Sequence, residues 1–254
     1  MKQNETVVVC PVCRKILLKT NYQYKCKYCK RQFLIKNGIP LLFYEANSSG
    51  ESGITSRIKT FYEKTPFPNY DNLDSTVSLR KKAEKNIFTK ALNDQTPFGS
   101  HILEIGCGTG QLTNYLALTG NRFVYGVDIS INSLNLAQKF KSKYKIKGAN
   151  FLQMNLFYPT FPTRSFDIVI CTGVLHHTVD PYKGFQSISQ LVKKRGFIIL
   201  GLYHKYGRLL TDFRRLIFQV TGDHLKFLDT RLVDKGISDL RKDTWFLDQY
   251  KNPH

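Results

Sequence analysis

The sequence predicts an α/β protein, a doubly wound, mostly parallel sheet preceded by a small four-cysteine ribbon. Three observations predict it. Four of the six cysteines crowd into the first thirty residues as two C-x2-C pairs. From His101 onward, short apolar runs alternate with stretches of helical periodicity, the pattern of strands covered by helices on both faces. The first of those runs ends in a glycine-rich turn that leads straight into a helix. Composition agrees with a folded chain, since 42% of the 254 residues are hydrophobic. No apolar run approaches the roughly 20 residues that cross a bilayer. The start, Met1 to Cys10, lacks the apolar stretch of a signal peptide, so a cytoplasmic location is expected.

Residues 5–45 read as the ribbon. Cys10 and Cys13 form one pair, Cys26 and Cys29 the other, with twelve residues between the pairs. Each pair can make a tight knuckle, and a hairpin that joins two knuckles gives a tetrahedral sulfur site suited to structural zinc. Disulfides do not fit a reducing compartment, and a redox C-x-x-C is expected once, beside a βαβ unit. The three-cysteine spacing of a radical cluster is absent. Metal binding also explains how so short a stretch folds with few core residues. Phe33-Leu34-Ile35 and then Gly38-Ile39-Pro40-Leu41-Leu42-Phe43 read as a last strand that turns and leaves the ribbon.

Residues 46–98 read as a linker, an aromatic strap and an amphipathic helix. Asn47 to Gly53 is polar and rich in Gly and Ser, as linkers are. Pro66 and Pro68 forbid a continuous helix, and Phe61, Tyr62, Phe67 and Tyr70 need something to pack on, so this stretch is expected to be a lid or docking strap. Val77, Leu79, Ala83, Ile87, Phe88, Ala91 and Leu92 recur at helical intervals, which predicts one helix over Ser75–Asp94. Residues 99–203 form the core. Strands are expected at His101–Ile105, Phe123–Ile129, Asn150–Met154, Phe166–Cys171 and Phe197–Leu202, with helices at Gly110–Thr119, Asn132–Tyr144 and Pro181–Val192. Residues 204–254 read as a helical tail in which Leu209, Leu210, Phe213, Leu216, Ile217 and Val220 share one face beside Arg208, Arg214 and Arg215. Core cover is its expected role, ahead of partner or membrane-surface binding.

Glu104-Ile105-Gly106-Cys107-Gly108-Thr109-Gly110 carries the chemistry. Its glycines allow a tight turn and close approach of a ligand to the backbone. A dinucleotide fingerprint would set its third glycine one residue later. Asp128 ends the second strand, where a carboxylate can accept both hydroxyl hydrogens of a ribose; capping the next helix is the plainer alternative for Asp128 or Ser130. Asn155 ends the third strand, where its amide could meet an adenine edge. Three strand ends thus describe one pocket.

These residues, with Ser165-Phe166-Asp167-Ile168-Val169-Ile170 leading to Gly173-Val174-Leu175-His176-His177, resemble the class I S-adenosylmethionine-dependent methyltransferases over about residues 100–203. The resemblance implies a Rossmann-like methyltransferase sheet with S-adenosylmethionine as cofactor. It implies that Glu104 and the loop Gly106, Cys107, Gly108 and Gly110 hold the methionine end, Asp128 with Ile129 the ribose, and Asn155 with Leu156 the adenine. Asn155 stands where the family more often has Asp. The ribbon resembles the zinc-ribbon leaders found before some methyltransferase domains. The family usually closes its sheet with a hairpin after the fifth strand; no two further strands are found before His254, so the chain reads as a C-terminal fragment or finishes that edge otherwise.

Methyl transfer needs alignment and, for many acceptors, removal of a proton. His176 and His177 follow the fourth strand at the pocket mouth and are the candidate bases, the alternative being packing and backbone bonding. No D/N-P-P-Y/F signature for base amino groups is present, and Cys107 and Cys171, without a Pro-Cys context, read as small buried residues. A small-molecule acceptor is the first reading. The 38 basic against 19 acidic residues, a net +19, keep RNA as an alternative acceptor, since rRNA guanine methyltransferases also carry such leaders. A non-catalytic cofactor-binding scaffold is the third.

Overall fold

In the computed structural model of the chain, residues 7–46, 51–70, 73–204 and 206–221 are described. The ribbon is an antiparallel sheet of β1 (Leu17–Lys19), β2 (Gln23–Cys26), β3 (Gln32–Lys36) and β4 (Ile39–Pro40) in that order. Its last hairpin turns on Asn37 and Gly38, both at positive φ, the geometry that two-residue hairpins favour. Three helices follow: α1 (Glu51–Lys64), α2 (Thr76–Glu84) and α3 (Ile87–Gln95). The core then runs β5 (His101–Ile105), α4 (Gln111–Leu118), β6 (Phe123–Asp128), α5 (Ile131–Lys143), β7 (Ala149–Gln153), β8 (Phe166–Thr172), α6 (Pro181–Ser189) and β9 (Val192–Gly201). A last helix, α7, spans Leu209–Thr221.

The five core strands lie parallel in the order β7-β6-β5-β8-β9, the doubly wound sheet that the alternating pattern predicts. Successive residues of a strand point to opposite faces, and both faces are buried. Ile102, Ile168 and Ile170 join Leu79, Leu92, Tyr115, Leu134 and Phe140 on the side of α2 to α5. Leu103, Val169 and Cys171 join Phe161, Phe166, Ile188 and Leu191 on the other. That second face has a gap to fill, because the crossover from β7 to β8, residues 154–165, contains no helix. The ribbon fills it. Val8, Leu17, Tyr24, Phe33 and Leu42 belong to the same apolar cluster as the core strands. Leu41 bridges Gln153 in parallel, the Leu42 N–H donates to the Gln153 carbonyl at 3.0 Å, and the Val9 N–H donates to the Thr160 carbonyl at 2.8 Å. The ribbon's exit thereby extends the β7 edge.

Several expectations need correction. The helix expected over Ser75–Asp94 is two helices, because Asn86 breaks it: its side chain caps α3 by accepting from the Thr89 N–H at 3.0 Å. The linker is shorter than expected, since α1 already begins at Glu51. The fifth strand starts at Val192 instead of Phe197, and α6 ends at Ser189; a register irregularity in β8–β9 pairing, with Arg195 at positive φ, separates the two halves of the strand. Five of the apolar residues of α7 do not cover the sheet: Leu209, Leu210, Phe213, Leu216 and Val220 are all exposed. Residues 222–254 of the expected tail lie outside the described residues. Among the described residues, no helix is long and apolar enough to cross a membrane.

Candidate functional site

A cavity of about 540 Å³ opens at the carboxyl ends of β5, β6, β7 and β8. Its floor contains Glu104, Gly106, Cys107, Gly108, Asp128, Ile129, Asn155 and Leu156, so the sequence-predicted pocket residues other than Gly110 meet at one site. Gly110 serves behind the wall as the left-handed residue before α4. The loop is built to leave no room for side chains. Gly106 and Gly108 both lie at positive φ, and a Cβ would fall 2.2 Å from the Val174 side chain in the first case and 2.1 Å from the Phe67 carbonyl oxygen in the second.

Asp128 holds this loop and the next helix together. One carboxylate oxygen accepts from the Gly108 N–H and the other from the Ser130 N–H, each at 2.8 Å. A carboxylate has about four lone-pair positions, so acceptor capacity remains for further donors such as ribose hydroxyls. The N-capping alternative is satisfied by Ser130, whose hydroxyl accepts from the Ser133 N–H. Glu104 accepts a 2.5 Å hydrogen bond from the Thr113 hydroxyl, and burial pushes its carboxyl up to about 7. Burial also raises the Asp128 carboxyl above its ordinary value. Two acids in a shallow-dielectric pocket favour a cationic ligand. Asn155 is more occupied than its sequence position suggests: its Nδ2 donates to the Tyr44 carbonyl at 3.0 Å and its Oδ1 accepts from the Phe157 N–H at 3.1 Å. One N–H and one lone pair of the amide remain for an adenine edge.

The two histidines part company. His177 lines the cavity and is buried, whereas His176 stands behind it with its ring centroid 3.8 Å from that of Tyr203. Their Nε2 atoms are 3.0 Å apart, so one imidazole donates to the other. Cys107 and Cys171 are buried thiols, as expected, and burial raises both above the ordinary thiol range.

Sequence reading expected a lid or docking strap here but missed α1, the helix that leads into it and completes the roof. Thr55, Ile58 and Tyr62 of α1 and Phe67 and Pro68 of the strap line the cavity, as do Lys82, Asn86 and Tyr203. The helical spacing of Ile54, Ile58, Phe61 and Tyr62 was the available signal. The strap is tied to the glycine loop: the Tyr70 hydroxyl donates to the Thr109 carbonyl at 2.7 Å, the Gln111 side chain donates to the Asn69 carbonyl at 2.6 Å, and the Thr109 hydroxyl donates to the Pro68 carbonyl. Glu63 latches α1 to α5, its carboxylate accepting from the Ile131 and Asn132 N–H groups at 2.9 and 3.0 Å.

A second centre lies in the ribbon. The four sulfurs of Cys10, Cys13, Cys26 and Cys29 fall within 4.8 Å of one another, and no pair is disulfide-bonded. Cys10 to Cys29 is 3.6 Å and Cys13 to Cys26 is 3.4 Å. Tetrahedral coordination at a metal–sulfur distance of about 2.3 Å requires sulfurs roughly 3.8 Å apart, so the donor set fits a zinc-sized ion.

A family profile described as a methyltransferase domain matches residues 103–200, the segment that supplies the cavity floor. The chain carries a class I S-adenosylmethionine-dependent methyltransferase domain. A protein of Synechococcus described as uncharacterized is 33% identical to it over 109 residues, 42% of this chain and 26% of that one. A ubiquinone biosynthesis O-methyltransferase of Coxiella burnetii is 26% identical over 141 residues, 56% of each chain. Among solved structures, phosphoethanolamine N-methyltransferase 2 of Haemonchus contortus aligns over 74% of this chain and 43% of its own, with 18% identity and a TM-score of 0.47. The chain therefore spans only 26% to 56% of the length of these two curated relatives. Neither the α1–α3 roof nor the ribbon falls within the segment matched as a methyltransferase domain.

Proposed function

We propose that the chain is a methyltransferase that transfers a methyl group from S-adenosylmethionine to a small molecule, with His177 as the base and structural zinc in the ribbon. The observation that carries it is the roofed cavity, in which an acid at the end of β5, an acid at the end of β6 and a histidine after β8 face one volume of about 540 Å³. S-adenosylmethionine supplies an electrophilic methyl group on a sulfonium. Glu104 pairs with the ammonium of the methionine end, and Asp128 accepts the ribose hydroxyls through its remaining lone pairs. Asn155 and Leu156 flank the adenine. Phe67, Ile58 and Tyr62 exclude water above them, and alignment of the acceptor with the methyl group supplies most of the acceleration.

His177, the histidine of the pair that lines the cavity, takes the acceptor's proton. Its Nε2 lies 3.0 Å from the His176 Nε2, so the two imidazoles share one hydrogen bond. A proton taken up by His177 makes it the donor in that hydrogen bond, which becomes charge-assisted and stronger. The curated relatives described as ubiquinone biosynthesis O-methyltransferases support an acceptor oxygen on a small molecule. The four thiolates close the ribbon centre, so its zinc has a folding role and no open position for substrate.

The test is incubation of the zinc-loaded protein with methyl-labelled cofactor and fractionated lysate. Label is expected in the small-molecule fraction; label confined to RNA would establish the basic surface as the substrate platform, and cofactor binding with no transfer to any fraction would establish the scaffold reading. His177→Ala is expected to lower kcat by about 10² or more while the cofactor Kd holds, as loss of a general base does. An undiminished kcat removes His177 from the reaction.

A further inference from the structure

The ribbon does more than fold itself. Its two knuckles repeat one geometry: the Cys10 N–H donates to the Lys15 carbonyl at 2.8 Å as the Cys26 N–H donates to the Arg31 carbonyl at 2.9 Å, and the residue after each second cysteine, Arg14 or Lys30, sits at a φ of 61° or 62°. The chemistry of those two residues differs. Both residues are exposed, but the Arg14 guanidinium reaches across to the core and forks over the 154–165 crossover, donating through Nη2 to the Phe161 carbonyl at 2.7 Å and through Nη1 to the Pro159 carbonyl. The Val9 N–H holds the Thr160 carbonyl between them. At the other end of the same segment, Leu42 pairs with Gln153 and the Tyr44 carbonyl fixes the Asn155 amide. The ribbon therefore grips the first half of this helix-free crossover on both sides of Met154 to Phe157, the stretch that forms one wall of the cavity.

We propose that the four-thiol knuckle is a positioning device for the cofactor, and that Arg14 is the residue that transmits it. Arg14 touches no cavity residue and acts through the loop. Its backbone is set by the knuckle, since its N–H donates to the Cys10 carbonyl at 3.0 Å and a non-glycine residue keeps a positive φ only where its surroundings impose it. Metal in the knuckle holds that turn; the turn aims the guanidinium; the guanidinium and the Leu41–Tyr44 exit hold the adenine-side wall in its binding-competent form. A loop released at either end must be ordered again by the incoming cofactor, and the apparent Kd rises by the reciprocal of the fraction that remains competent.

This inference rests on the cavity being the cofactor site, and the experiment separates the two. Calorimetric titration with S-adenosylhomocysteine is run on the zinc-loaded full chain, on the Arg14→Ala variant, and on wild type after chelation and again after zinc is restored. Wild type is expected to bind. Arg14→Ala, which keeps all four thiols, is expected to weaken binding about tenfold, as follows if about a tenth of the loop population stays competent. Its KM for the methyl donor rises in step while kcat at saturating donor is unmoved, and amide exchange accelerates within residues 154–161. Chelation is expected to weaken binding at least as far, with recovery on adding zinc. If wild type binds and both Arg14→Ala and the metal-free protein bind equally well, the ribbon does not position the cofactor and the proposal is overturned. If zinc-loaded wild type shows no binding, the cofactor assignment itself falls and this inference with it.

Discussion

Glu104 lies 7% exposed at the end of β5, with its carboxyl pushed up to about 7 by burial and held against the Thr113 hydroxyl. A carboxyl raised above its unfolded value of 4.5 stabilises the fold fully below that value and loses the contribution as pH rises through about 7. The difference corresponds to about 3 kcal/mol at 1.36 kcal/mol per unit. Glu104→Gln removes the titration and keeps an acceptor for Thr113. Urea unfolding is expected to show variant and wild type alike near pH 4.5, with the variant gaining up to about 3 kcal/mol by pH 8. Equal stabilities at both pH values would refute the burial argument. The same substitution is expected to weaken cofactor binding, because the methionine ammonium loses its carboxylate. Under the proposed function the carboxylate is retained at a cost in stability for the sake of a cationic ligand, the trade that functional sites make.

At the scale of elements, the roof depends on Glu63. Its carboxylate satisfies the first two N–H groups of α5 and stands at the positive end of that helix, while the Tyr62 carbonyl accepts from the Ser130 hydroxyl. Replacing Glu63 by Ala removes a cap, a loss of about 1 kcal/mol in stability. Because the cap comes from α1, the larger effect is expected on the roof: stopped-flow measurement should show faster cofactor release with little change in the association rate. An unchanged release rate would show that α1 is held by its apolar contacts alone. The periodicity of short segments made the first four core strands and α4 and α5 legible in sequence to within a residue or so, since each buries on both faces or along one stripe. The latch was not legible, because Glu63 and Ile131 are distant in sequence and a glutamate near a helix end has many possible uses. The break at Asn86 was hidden for another reason: the apolar spacing continues across it, and only the side chain's choice to cap the Thr89 N–H decides for two helices over one.

For the molecule as a whole, the question is whether ribbon and core are one cooperative unit. Sequence reading separates them, because the cysteine spacing is self-sufficient and the glycine loop is self-sufficient. The structure joins them through Leu42, which is fully buried, and through the cluster that runs from Val8, Leu17 and Phe33 to Leu152, Met154 and Phe161. What joins them could not be seen in the sequence, since a crossover lacking a helix gives no sign of which distant segment covers it. Leu42→Ala tests the union. A buried Leu replaced by Ala costs about 2–5 kcal/mol through lost transfer energy and the cavity left behind. In a chain whose ribbon melts by itself, that loss would be confined to an early minor transition, with the core transition unmoved. In a single unit, thermal unfolding monitored by tyrosine absorbance and by thiol accessibility to a zinc-competing reagent should coincide, and both should shift downward together in the variant. Coincidence is the expected result, because the seam carries main-chain hydrogen bonds as well as apolar contacts: opening it would leave the Gln153 and Thr160 carbonyls without their ribbon donors and expose the β7 edge.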